Sequence, residues 1–148
     1  MGFRNNLFRR GIVSSDNEVL VNALFFKRQE APAAMTTAAV ITVANLLLGL
    51  ITGTHAAGAT QAYTLPAGAD LDAELSSYMI NNASFDFTII NLSPAAADTI
   101  TLTASVGITI VGNPIIDANL IYTSWYLSSG TFRVRKTAAD TFIAYRIS

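Results

Sequence analysis

The chain has 148 residues, a length that suits one domain with a core of its own. Lysine and arginine number 9 against 10 acidic residues, a formal net charge of −1, so the overall charge gives no drive toward nucleic acid. Cysteine is absent and histidine occurs once, as His55, which excludes thiolate chemistry and disulfides and leaves a zinc site or a Ser-His-Asp triad resting on a single side chain.

Charged residues make up only 13% of the chain, about half the usual share of roughly 25%. Mean hydropathy is +0.42. A compact domain with so few charges is expected to bury part of its surface against partners. The many Thr, Ser, Asn and Ala residues suit the uncharged but wettable surface of an oligomer or an assembly component. Charge is also segregated. Arg4, Arg9, Arg10, Lys27 and Arg28 lie near the start, and Arg133, Arg135, Lys136 and Arg146 near the end. Between them stand only acids: Glu30, Asp70, Asp72, Glu74, Asp86, Asp98 and Asp117. Basic ends and an acidic middle suit docking on an acidic surface or head-to-tail contact.

Residues 1–34 read as an N-terminal arm and linker, and 35–148 as a β-rich domain. The arm mixes bases with apolar side chains in Phe3, Arg4, Leu7, Phe8, Arg9 and Arg10, without the pattern of a secretory signal. Val19–Phe26 predicts one strand, and Ala31–Ala34 a linker. Thr36–Ile51 is the most apolar stretch. Ala39, Val43, Leu46, Leu47 and Leu50 recur at helical spacing, with Thr36 or Thr37 as N-cap and Gly53 as terminator. At 1.5 Å per residue such a helix reaches roughly 24 Å, short of a hydrocarbon core of about 30 Å, so a buried or interface helix is expected and membrane insertion is not. Thr54–Thr60 is a small-residue loop around His55. Gln61–Leu65 predicts a short strand stopped by Pro66. Leu71–Ile80 predicts a helix with acids in its first turn.

From Ser84 the period becomes two. Phe85, Phe87 and Ile89 alternate with Asp86 and Thr88; Ile100 and Leu102 alternate with threonines; Phe132 and Val134 alternate with Arg133 and Arg135. Further strands are expected at Ile108–Val111, irregularly within Ile115–Tyr126, and at Thr141–Ile147. Short strands separated by Gly, Pro and Asn turns predict a mainly β fold: an antiparallel β-sandwich or jelly-roll-like domain with one or two helices.

No residue set predicts catalysis, a cofactor or a metal. Asp70, Asp72 and Glu74 form D-x-D-x-E but lack the glycine and later Glu of a calcium loop, so they read as helix N-terminal charge. Asn82-Ala83-Ser84 and Asn91-Leu92-Ser93 match a glycosylation pattern by chance. Arg133, Arg135 and Lys136 read as pointing off one strand face, with Arg146 on the next strand, as contact residues or as a solvated, edge-protecting face. Tyr122, Trp125 and Tyr126 read as core or oligomer packing, or as a platform for a receptor or glycan.

The segments SFDFTIIN (Ser84–Asn91), TITLTASVGITIVG (Thr99–Gly112), GTFRVRKT (Gly130–Thr137) and TFIAYRIS (Thr141–Ser148), together with YTLPAGADLDAEL and the apolar stretch at LLLGLITGT, resemble a module of decoration, cement and head-fibre-like proteins of phage and other viral capsids. The resemblance spans roughly Thr36 to Ser148; residues 1–30 lie outside it, and Ile115–Leu127 is longer and more aromatic than the usual link. It implies a mainly β homotrimer attached to the exterior of a virion, with the major capsid protein as partner and no enzymatic activity. The arm residues from Phe3 to Arg10 are then the candidates for gripping the capsid. A receptor- or glycan-binding knob of a fibre or tail is the alternative.

Overall fold

A computed structural model of the chain describes residues 18–21, 24–27, 29–56, 60–75, 79–95, 97–118 and 128–148. Residues 1–31 and 32–148 form two compact units. In the first, β1 (Glu18–Val21) pairs antiparallel with β2 (Leu24–Lys27), placing Glu18 opposite Lys27 and Val19 opposite Phe26. The stretch expected to be one strand is thus a pair.

The second unit is mainly β, as expected. Its strands are β3 (Ala33–Met35), β4 (Ala39–Val40), β5 (Leu50–Gly53), β6 (Gln61–Thr64), β7 (Ser84–Asn91), β8 (Ile100–Thr103), β9 (Ile108–Val111), β10 (Ile115–Ile116), β11 (Ser129–Ala138) and β12 (Thr141–Arg146). Two described helices, α1 (Val43–Leu47) and α2 (Gly68–Leu75), lie between them. A six-stranded sheet has the order β3-β5-β7-β11-β12-β9, and a four-stranded sheet the order β10-β8-β6-β4. Ala33 and Ala34, expected in a linker, belong to β3.

The pairing is mixed rather than antiparallel. Parallel ladders join β3 to β5, β5 to β7, β12 to β9, β4 to β6 and β6 to β8. In the larger sheet only β11 runs against its neighbours, and in the smaller only β10. The connectivity explains this. From β3 to β11 each successive strand lies in the other sheet. Parallel neighbours need a long crossover, and here a strand of the opposite sheet supplies it. The chain winds through both sheets, then closes the larger one with the β11–β12 hairpin.

Period-two alternation sends one face of each sheet into a shared core. Ile51, Phe87, Ile89, Phe132, Val134 and Phe142 come from the larger sheet, and Tyr63, Ile100, Leu102 and Ile116 from the smaller. The rings of Phe87 and Phe132 stack at 5.5 Å between centroids, 19° from parallel. The sheets approach so closely that a Cβ on Gly53 would lie 2.5 Å from Ile100 Cδ1.

The long helix expected over Thr36–Ile51 does not form. The segment is strand, helix and strand: β4, the five-residue α1 and β5. Thr42 caps α1 by accepting from Asn45 N at 3.1 Å, and Gly49, at φ +77°, ends it in a backbone region that a side chain would disfavour. Ile41 just after β4, Leu46 of α1 and Ile51 of β5 are fully buried, so the apolar residues reach the core without a continuous helix. Among the described residues no helix is long and apolar enough to cross a membrane.

Strand direction places the connections. α1, α2, the Ala104–Gly107 link and the β11–β12 turn lie at one end of the unit, the helical end. The turns leaving β3, β5 and β7 lie at the other. Leu46 and Leu71 are buried beneath the helices, with Val43, Leu48 and Leu75 packed against the core.

Candidate functional site

The outward face of the six-stranded sheet follows from strand register. Thr52, Ile90 and Ser129 form one row across β5, β7 and β11, and Ala34 extends it onto β3. Leu50, Thr88 and Thr131 form the next, which Ile147 continues beyond β12 through the hydrogen bond its N–H donates to Thr131 O. Asp86, Arg133, Tyr145 and Val111 form a third, and Ser84, Arg135, Ile143 and Thr109 a fourth. All are half-buried or exposed. The hydroxyls of Thr88 and Thr131 bond to each other at 3.0 Å. The smaller sheet presents Val40, Ala62, Thr64, Thr101, Thr103 and Ile115 outward, none of them charged. Val40 is 62% exposed, and Thr64 and Thr103 again bond to each other, at 2.8 Å.

Charge on the larger face is largely neutralised where it stands. Arg133 Nε and Nη2 donate to the two carboxylate oxygens of Asp86, each at 2.8 Å, a planar fork matched to a planar acceptor on the adjacent strand. Arg135 donates to Asn82 Oδ1 at 2.9 Å and to the Tyr145 hydroxyl at 3.4 Å. Lys136 does not share that face. The alternation along β11 turns it inward, it is only 9% exposed, and it pairs with Asp72 of α2. Arg146 also turns inward, above the Phe132 ring at 5.8 Å. It donates to the carbonyls of Asn113, Ile115, Ser129 and Ser148, tying the β9–β10 turn to the start of β11.

Asp72 does the same work at the helical end. Its other oxygen accepts from Asp140 N at 3.0 Å, so α2 is fastened to β11 and to the β11–β12 turn. Lys136, and after it the Asp140 amide, hold the Asp72 carboxyl below its ordinary value. Among the described residues Asp70, Asp72 and Glu74 form no cluster suited to a metal ion.

His55, read from sequence as a loop residue, is 4% exposed. It joins the turns that leave β3, β5 and β7. Its backbone N–H donates to Ser93 Oγ at 2.9 Å. Its ring nitrogens lie 3.1 Å from the Tyr63 hydroxyl and 3.4 Å from Thr36 O, and that hydroxyl also reaches Met35 O at 3.2 Å. Burial pushes the Tyr63 hydroxyl up to about 12. Beside it, buried Asn91 donates to Asp98 O and Ile116 O and accepts from Ser93 N. Every buried side-chain nitrogen and oxygen among the described residues has a partner. Such a saturated, closely packed arrangement holds the winding together.

Phe3, Arg4, Leu7, Phe8, Arg9 and Arg10 of the arm, and Tyr122, Trp125 and Tyr126, lie outside the described residues. Of the expected contact residues, the sheet brings Arg133 and Arg135 together and sends Lys136 elsewhere. The sequence reading missed Asp86 as the partner of Arg133, and the threonine and aliphatic rows around them. Period-two spacing carried that signal, because Asp86, Thr88 and Ile90 alternate with the buried Phe87 and Ile89. No protein-family model, no curated protein and no solved structure matches the chain.

Proposed function

We propose that the chain is a non-enzymatic structural protein of a virus particle, a decoration or cement protein that binds the outside of a capsid, of a tailed phage, as a homotrimer. The two sheets are read as a sandwich of mixed strand direction. The observation that supports this most is the scarcity of uncompensated charge on both outward sheet faces. Such faces suit burial against protein, since little charge has to be desolvated without a partner. The resemblance adds to it: SFDFTIIN is β7, TITLTASVGITIVG holds β8 and β9, and GTFRVRKT and TFIAYRIS lie in β11 and β12. In this reading the N-terminal arm lies across neighbouring coat subunits, and several arms per oligomer raise avidity without strong single contacts.

The test is binding to purified capsids stripped of decoration. Full-length protein is expected to co-sediment with them, to saturate, and to raise their melting temperature. Deletion of residues 1–28 is expected to abolish binding while light scattering still reports a trimer. Full-length protein that leaves stripped capsids bare overturns the capsid role. Retained binding by the truncated chain overturns the role of the arm alone.

A further inference from the structure

We infer that the outward face of the six-stranded sheet is the contact between copies of this chain, three of them turning that face toward a common axis. The inference rests on the self-association proposed above and names the surface that performs it.

Size separates the two outward faces. With strands about 4.8 Å apart and about 3.3 Å per residue, the six-stranded face covers roughly 600 Å² and the four-stranded face roughly 200 Å². A stable interface takes about 800 Å² from each partner. Only the larger face approaches that. The smaller sheet is limited by β4 and β10, which are two residues each.

Charge identifies the occupant. At the centre of the larger face stand Thr88 and Thr131, hydroxyl to hydroxyl, beside the Asp86–Arg133 fork. A foreign partner selected by charge would meet a face with little field to read. A second copy brings the same threonines and the same internally balanced fork, so contact strands no central charge. Arg135 stands in the outermost row, toward the helical end, where its guanidinium can remain at the wet rim.

The chain has no cysteine, so Thr88→Cys and Thr101→Cys each introduce a unique thiol at mild cost, one on each outward face. Light scattering on unmodified full-length protein comes first, followed by a short thiol–thiol bridging reagent on the two variants. The expected result is a trimer in which Thr88→Cys, and not Thr101→Cys, bridges between copies. Thr88→Lys, with its fold checked by circular dichroism, is then expected to run at monomer mass, because three ammonium groups would meet at the axis. A trimer bridged through Thr101→Cys and not through Thr88→Cys overturns this inference and leaves the proposed function standing. A trimer bridged through neither position also overturns it. A monomer at every concentration overturns both this inference and the self-association on which it rests.

Discussion

The two ends of the wound unit do the same work with different chemistry. At the helical end, leucines beneath α1 and α2 close the core, and a charged clasp from Asp72 to Lys136 and Asp140 N fastens α2 to the β11–β12 hairpin. At the opposite end hydrogen bonds make the closure: His55, Tyr63, Ser93 and Asn91 join the turns leaving three strands of one sheet. Helices can close an end by dropping side chains into it. Turns bring backbone polar groups inward, and those require fixed partners. The helical end should therefore answer to lost volume and to acid. The turn end should answer to lost hydrogen bonds and to alkali.

The largest expected effect lies at the helical end. Leu71→Ala should cost about 2–5 kcal/mol, as for a buried leucine whose cavity collapses only in part, read as a lower urea midpoint with unchanged m. Asn91→Ala comes next, because it strands Asp98 O, Ile116 O and Ser93 N together. Stranding buried polar groups costs on the order of 1–3 kcal/mol, so a loss somewhat below the helical value is expected. A smaller loss would mean that water enters the turn end.

The pH limbs separate the ends most cleanly. The Asp72 carboxyl is lowered from 3.8 in the folded chain, so its contribution is present above that value and fades as pH falls through the folded one. The stability difference between wild type and Asp72→Asn should close in acid. Tyr63 is the reverse case: raised from 10.0 to about 12, it contributes fully below pH 10 and progressively less above it. The difference between wild type and Tyr63→Phe should close in alkali. If both differences close on the same side, the contrast between the ends is wrong. The smallest effect is Thr42→Ala, which removes the α1 cap for about 1 kcal/mol, measured by thermal melting.

Strands with one buried face were legible from sequence because burial imposes period two. Phe87, Ile89, Ile100, Leu102, Phe132 and Val134 all appear where that spacing puts them. Strand direction was not legible, since alternation along β5 or β7 is the same whether the neighbour runs parallel or antiparallel. Thr36–Ile51 misled for a related reason. Apolar residues at helical spacing also satisfy a strand, one helical turn and a second strand, and the choice between them was made by Thr42 and Gly49. Lys136 stands beside Arg135 in sequence, but its even position relative to Phe132 and Val134 puts it on the inner side of the sheet, away from Arg133 and Arg135. His55 gave no signal at all. Its partners Thr36, Tyr63 and Ser93 are brought to it only by the winding.

The register of the strands also decides how the unit bears load. In the six-stranded sheet Ala33 stands level with Ile51, Ile89 and Gly130, and Thr131 beside them bonds to Ile147 and Ser148, so Ala33 and Ser148 lie at the same level on different strands rather than at opposite ends of the strand axis. Tension applied between them pulls across the strands, and the hydrogen bonds of a ladder open one after another like a zipper rather than resisting together. A molecule stretched from those two points would peel before it sheared.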